Sequence, residues 1–493
     1  MDFLDPRKRR ARRIRLLISY FVMSAAVLVG TTVLVYSAYG YSFNTKSGDI
    51  TQNGLLFVDS KPSGAQIYLN GKLLNQASGA RLNLPNGSYN LRLAKAGYND
   101  WQRPFVLKPH SIVRFVYPLL LPKTPVVSSL QVYGAPPGLI SQSPDHHWLV
   151  VQPPPASAAL SLDIYDATAL DQPKQVLGFP TGLFTNLAGG GLREVEWSSD
   201  NRHLLVAHDT GRSSEFVLLD RISPADSVNL NDFFGVAPSQ VALRDKKFNQ
   251  FYLFDQTAQT IRTANLNDRS PGGVLISHAL SFKSYGPDLI TYATDRNEPA
   301  GKTMIKLANR GKSYNLMEVA RAPVYLMDAA QFQGHWYYAI GSSAQSRLNI
   351  YKDPLNNLAN QAIARAVPLL YLELASPQSV SFSTNDRFIG AQGAAGFATY
   401  DIETDSKYSY SLQLPLSGPL SWLDGHRYVG LSQGNILVVD YDGTNPQLVG
   451  ASLLNTGGYL DPGSSHLFAP TSRDGSTVEL QSIDLRAGPD LPH

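Results

Sequence analysis

The residues that could do chemistry are few and scattered. Gly301-Lys302-Thr303 has the ending of a phosphate-binding loop. The first glycine of that motif belongs five residues before Gly301, where Arg296 stands instead, and no helical pattern follows. Asp440-Tyr441-Asp442-Gly443 opens like a calcium loop but lacks the downstream Glu that closes one. An Asp-Gly hairpin turn accounts for it. The ten histidines include His146, His147, His203, His208 and His426. None forms His-Glu-x-x-His or another close array with metal-ligand spacing. A Gly-x-Ser-x-Gly elbow is absent, so a Ser nucleophile has no support. The absence of Cys excludes disulfides, thiolate metal sites and a lipid-modified N-terminal Cys. These residues point to no catalytic group, no cofactor and no metal.

The elements around them are mostly β. The chain has 493 residues, 43% hydrophobic and only 16% charged, with 39 Gly and 32 Pro. Such a length suggests two or three domains. Residues 1–15 carry seven basic and two acidic side chains, which leaves the rest of the chain at −2 against a total of +3. The basicity is local, and the body offers no electrostatic case for nucleic acid.

From Leu16 to Thr45 there is no charged side chain. This run exceeds the roughly 20 residues that cross a hydrocarbon core. Tyr20, Tyr36, Tyr39 and Tyr41 fall near its ends, where aromatic rings favour the interface. The basic cluster before it predicts a cytoplasmic N-terminus and everything after about Tyr41 outside. A cleaved signal peptide is the alternative, with "SAYG" near Ser37 as its cleavage site, although the apolar run is longer than such peptides need.

Beyond residues 42–53, read as a tether, short alternating strands are punctuated by turns. Asn70-Gly71 and Asn86-Gly87 both read as hairpin turns, since each pair suits positive φ. This stretch resembles the PEGA domain family. The resemblance rests on Pro62-Ser63-Gly64-Ala65, Asn70-Gly71, Leu84-Pro85-Asn86-Gly87-Ser88-Tyr89 and Gly97-Tyr98, and covers about residues 54–121. Ser63 stands where the family name implies Glu, and the Thr-Pro often found before the Leu-x-x-Gly element is missing around Ala80–Leu82. The resemblance implies a small antiparallel β-sandwich-like module and no reaction. Tyr68, Tyr89, Tyr98 and Trp101 read as core or half-buried residues rather than a ligand platform.

Residues 122–129 read as a linker, and a pattern then recurs every 40–55 residues or so. A polar turn precedes an apolar strand, and a second strand follows that often ends in Asp. Eight imperfect units start near Ser143, Trp197, Leu243, Phe282, Phe332, Phe382, Trp422 and Leu460. A period of this size with two or more strands per unit predicts a β-propeller over 130–486, before a tail at 487–493. Eight blades fit the count, and seven with a divergent connecting segment is the alternative. "WSSDNRHLLVAH" and "ILVVDYDGTNPQLVG" resemble the blade signatures of TolB-like propellers, a resemblance that says little about function.

The expectation is a mainly β, single-pass plasma-membrane protein with extracytoplasmic domains in a bacterial envelope. Its propeller would bind a protein, peptide or envelope glycan without catalysis. The alternatives are a propeller hydrolase or lyase with its site in the central channel, and a structural part of a surface layer or secretion assembly. Convergence of His, Asp, Glu and Arg in the channel would favour the enzyme.

Overall fold

The computed structural model describes residues 6–38, 41–43, 50–154, 159–211, 213–359, 365–454, 457–475 and 477–486. The tail expected at 487–493, residues 44–49 of the expected tether and 155–158 of the proline-rich loop lie outside the described residues. The chain divides into two compact units, which meet in sequence between Lys123 and Thr124.

The first unit begins with the helix Pro6–Ala38. Its stretch Arg12–Tyr36 is long and apolar enough to cross a membrane, and none of its most apolar window is buried inside the protein. Leu17, Phe21, Leu28 and Leu34 are all exposed. A helix apolar all round and left uncovered has the character of a membrane span rather than of a soluble surface helix.

Two four-stranded sheets follow. One joins Tyr41–Phe43, Ile50–Val58, Ala80–Pro85 and Ile112–Phe115. The other runs in the order Lys72–Ala77, Gln66–Leu69, Gly87–Ala94, Trp101–Leu107. Leu56, Ile67, Leu91, Leu93, Tyr98 and Trp101 share one core, each at most 2% exposed. Trp101 packs its edge against Tyr117 at 5.8 Å and lies tilted to Phe115 at 5.7 Å. Tyr68 is half-buried under the Arg92 guanidinium, 3.8 Å from its ring centre.

The two Asn-Gly pairs behave differently. Asn70 (φ 50°) and Gly71 (φ 80°) close a tight hairpin in which Leu69 faces Lys72. Asn86-Gly87 does not close one. Ala80–Pro85 pairs with Ile50–Val58, whereas Gly87–Ala94 pairs with Gln66–Leu69 and Trp101–Leu107. The chain therefore passes from one sheet to the other there, with Gly87 close to extended at φ 159°. Each strand buries its apolar face by pairing with a more distant partner, and that burial outweighs the local turn preference. The sandwich also departs from purely antiparallel, because Ile112–Phe115 runs parallel to Ile50–Val58.

The second unit is a β-propeller. Among the described residues it holds eight four-stranded antiparallel sheets, here blades 1 to 8. Blade 1 spans residues 139–178, blade 2 191–229, blade 3 240–277, blade 4 281–320, blade 5 325–373, blade 6 377–410 and blade 7 421–451. Blade 8 takes three strands from 459–484 and its fourth, Val126–Tyr133, from the beginning of the unit. The segment read as a linker is thus half strand. Its Val126, Val127, Ser128 and Ser129 are exposed, so it lacks the apolar signature of a blade interior.

The second strands are the most consistently buried. His203–Asp209, Leu289–Thr294 and Arg427–Ser432 are buried along almost their whole length. Neighbouring blades cover both of their faces, which explains the continuous apolar runs. Packing is close enough to demand glycine at Gly390 of blade 6. A methyl group there would collide with the Tyr428 hydroxyl and the Trp422 ring of blade 7, themselves stacked at 3.9 Å.

The closing strand carries a polar clasp into blade 1. The Tyr133 hydroxyl donates to Asp163 Oδ2 at 2.8 Å and lies 2.8 Å from the Tyr165 hydroxyl. Lys174 Nζ donates to the same Asp163 oxygen at 2.5 Å. Burial together with this company pushes the Tyr165 phenol up to about 12 and Tyr133 further still. Removing one partner of such a buried set leaves the others unpaired, at a cost on the order of 3 kcal/mol. Asp163→Ala is therefore expected to lower the unfolding free energy of the full chain by that amount, read as a lower denaturant midpoint at unchanged m-value. Asp171→Ala, at an exposed neighbouring position, is expected to leave the midpoint unchanged.

Candidate functional site

The repeated polar residues serve turns. At the junction of first and second strands a carboxylate or amide accepts backbone N–H groups two to five residues ahead. Asp145 accepts from His147, Asp200 from Arg202 and His203, Asp424 from His426 and Arg427, and Asp461 from Ser465 and His466. Asn385 accepts from Arg387 in the same way. His146, Asn201, Asp386 and Ser464 take positive φ in these turns. The Asp or Asn that ends the third strand does the matching work at the next turn. Asp166 holds Thr168 N–H, Asp220 holds Ile222 and Ser223, Asp401 holds Glu403, and Asp484 holds Arg486. The two turns lie at the same end of each blade and pair across it. Arg387 grips Asp401 at 2.6 Å, His147 lies 3.0 Å from Asp166, His335 lies 2.6 Å from Asp353, and Arg202 grips Asp220. His203 sits between Asp200 (2.6 Å) and Asp220 (3.4 Å) and stacks on Phe248.

Other polar groups stitch blade to blade, and every junction of the ring has one. Tyr459 donates to Ile140 O and Gln142 to Leu460 O between blades 8 and 1. Trp197 donates to Ser141 Oγ at 2.8 Å between 1 and 2, and Glu196 of blade 2 takes Leu243 N–H and Lys246 from blade 3. Tyr252 donates to Pro287 O, joining 3 to 4. Lys283 lies 2.7 Å from Asp328, joining 4 to 5, and the other Asp328 oxygen accepts Phe382 N–H of blade 6. Trp422 donates to Ser381 Oγ between 6 and 7, and Gln481 to Ala451 O between 7 and 8. The first strands of blades 1, 2 and 3 touch in turn, as do those of blades 4, 5 and 6, and several stitches run between first strands. Acidic and basic groups do converge there, but Asp328 and Glu196 spend their oxygens holding blades. Burial pushes the Glu194 carboxyl on the first strand of blade 2 up.

Each residue singled out in the sequence has a place in this scheme. Gly301 turns at φ 78°, Lys302 reaches Glu318 at 3.4 Å, and the buried Thr303 hydroxyl meets Tyr325 at 2.9 Å. Asp440 accepts from Asn445 at 2.9 Å and Asp442 from the Thr444 hydroxyl at 2.7 Å, a closed turn around Gly443. His208, fully buried at the opposite end of its blade, lies 3.2 Å from Glu215. The "AGGGL" stretch passes over it. A Cβ on Gly190 would come within 2.7 Å of His208 Nε2 and 2.5 Å of Asp209 O, so that glycine is needed for close packing. Among the described residues no three His, Asp or Glu converge as metal ligands would.

At the end of the blades opposite the braced turns lies a pocket of about 740 Å3 where blade 6 meets the connection to blade 7. The hairpin Gly393–Gly396, the start of strand Pro377–Phe382 and the extended connection 412–419 line it. Leu412, Leu414 and Leu416 are half-buried and alternate with more exposed residues. Phe397, Gln378 and Gln392 complete the wall, and no titratable side chain lines it. The alternation of Leu in "LQLPLSGPL" was the available sequence signal. It reads as a strand, yet the segment pairs with nothing over Leu412–Leu416 that would make it one.

Residues 53–119 match the PEGA domain family. The small sandwich is that domain. The propeller unit has likenesses among solved structures. The Dos1 propeller is 12% identical, covering 73% of this chain and 95% of its own, with a TM-score of 0.45. Hsv2p of Kluyveromyces lactis is 12% identical over 72% of this chain and 100% of its own, with a TM-score of 0.39. An oligogalacturonate lyase from Vibrio parahaemolyticus is 11% identical over 73% and 98%, at 0.37. No curated protein matches the chain.

One of the turn residues reports on pH. Burial pushes the His426 imidazole down to about 4 from its ordinary 6.5. It lies edge-on to Phe388 at 5.4 Å. The unfolded chain takes up this proton first, so the contribution of His426 is intact above about pH 6.5 and is lost as pH falls toward 4. At pH 5 the loss amounts to about 2 kcal/mol relative to pH 7. His426→Phe is expected to remove that part of the pH dependence, read as the difference in urea midpoints between the two pH values for variant and wild type.

Proposed function

We propose that this chain is a membrane-anchored extracytoplasmic protein of the bacterial envelope that binds a partner through its propeller and performs no catalysis. The apolar helix near the N-terminus would hold it, and the basic residues before that helix would keep Met1 in the cytoplasm. The PEGA domain, which follows in the chain, would act as a spacer or docking unit. The observation that carries the reading is a division of labour. The carboxylates of the braced turns and of the stitches are committed to holding the fold, whereas the pocket beside blade 6 is walled by Leu, Phe, Pro, Gly, Ala, Ser and Gln. Such a lining suits apolar and hydrogen-bonding contacts with an extended peptide segment, and it holds no acid or base to drive a reaction.

Two expectations test this. The chain lacks Cys, so single cysteines are clean reporters of topology. Ala395→Cys in intact cells is expected to react with a membrane-impermeant maleimide, while Asp2→Cys reacts only after lysis. Equal reaction of both, or recovery of the full chain in the soluble fraction, overturns the anchor. Ala395→Trp fills the pocket from an exposed position. It is expected to weaken capture of the envelope partner by the full chain at least about tenfold, roughly 1.4 kcal/mol, without lowering the unfolding midpoint. Unchanged capture overturns the pocket assignment.

A further inference from the structure

The face of blade 4 that meets blade 3 is interrupted by charge. Two adjoining clefts open there, of about 80 and 300 Å3, sharing Leu275, Ile276 and Ser313. The larger is lined by Arg296 and Lys306 and by the hydroxyls of Ser277, Tyr292, Thr294 and Ser313, with no carboxylate. Lys306 belongs to the third strand of the blade, Lys302–Asn309, and is half-buried beside the buried Ala308 and Met304. Its ammonium has no hydrogen-bond or ion-pair partner among the described residues. The Arg296 guanidinium reaches only Ser277 Oγ, at 3.5 Å. The smaller cleft adds Arg310, likewise without a partner among the described residues, and Arg244, which is spoken for by Asp288 at 2.7 Å.

The charges that join strands and blades are paired: Asp163 with Lys174, Asp328 with Lys283, Glu196 with Lys246. Arg296 and Lys306 instead share one opening with no carboxylate on its wall. The chain beyond residue 15 is net negative, so the local excess of cations does not follow from overall composition. Two cations and four hydroxyls around one opening, with a short apolar wall at Leu275 and Ile276, match a phosphate group in charge and in hydrogen-bond demand.

We propose that the cleft between blades 3 and 4 binds a phosphomonoester, its dianion neutralised by Arg296 and Lys306 and its oxygens held by the surrounding hydroxyls. The site is separate from the pocket beside blade 6 and does not depend on the binding role assigned to that pocket. Arg310 extends the cationic path toward the braced turns.

The test titrates the full chain in detergent micelles with glycerol 3-phosphate at constant ionic strength, chloride serving as the control anion. Calorimetry is expected to show saturable binding, and phosphate is expected to raise the unfolding temperature. Lys306→Gln and Arg296→Gln should each weaken binding about tenfold or more, the double variant should abolish it, and Lys306→Arg should retain it. The unfolding temperature without phosphate should stay the same in all four, which separates loss of the site from loss of the fold. A second arm replaces the soluble ester with vesicles containing phosphatidic acid. Binding in solution alone assigns a soluble ester, and stronger binding to vesicles assigns a lipid headgroup. Equal binding by wild type and double variant, or no response of the wild type beyond that to chloride, overturns the proposal.

Discussion

The pairing of Val126–Tyr133 with Val478–Asp484 holds the ring shut, and the rest of the propeller depends on it. The two strands lie about as far apart in sequence as the unit allows. The entropy of closing so long a loop grows only logarithmically with length, so a single ladder, the Tyr133–Asp163 clasp and the apolar burial behind them can offset it. Once the last blade is completed by the first strand, no blade has an uncovered neighbour face. The buried second and third strands then become interior. An open ring would leave an edge strand ready to pair with another chain.

Closure also explains where the chemistry-bearing residues went. A buried polar group between blades costs free energy unless it is satisfied, and fixed blades can satisfy it. Asp328 shows the economy of the arrangement, since one carboxylate joins blades 4, 5 and 6. Asp220 serves a turn, an arginine and a histidine together. A group committed in this way is a poor proton shuttle, because moving its proton would undo several contacts. The uncharged pocket beside blade 6 and the cleft between blades 3 and 4 lie apart from these commitments.

Much of this was legible in the sequence, for identifiable reasons. The eight units read from Ser143 to Leu460 are the second and third strands of the blades. Burial on both faces makes these continuously apolar, as in "HLLVAH" and "FVLLD". The outer strands escaped notice because they are short and half exposed, as Gln175–Gly178 is. The closing strand read as linker because its first four residues face solvent. In the PEGA domain identical Asn-Gly pairs gave one hairpin and one crossover. The dipeptide permits the turn, but the pairing partners decide whether it is used. The sites were the least legible part. Lys306, Arg296 and Ser277 are spread over 30 residues, and only the apposition of two blades gathers them.

The central claim is that a ring of structurally committed polar residues presents a binding surface, outside the membrane, at the end of the blades opposite its braced turns. Site-specific photo-crosslinking in intact cells tests it most directly, with the photoreactive residue placed at Ala395 in one strain and at Pro446, exposed in a braced turn of blade 7, in another. The account predicts a discrete crosslinked partner from Ala395 and none from Pro446. Adducts of equal yield from both positions, or from Pro446 alone, would contradict it.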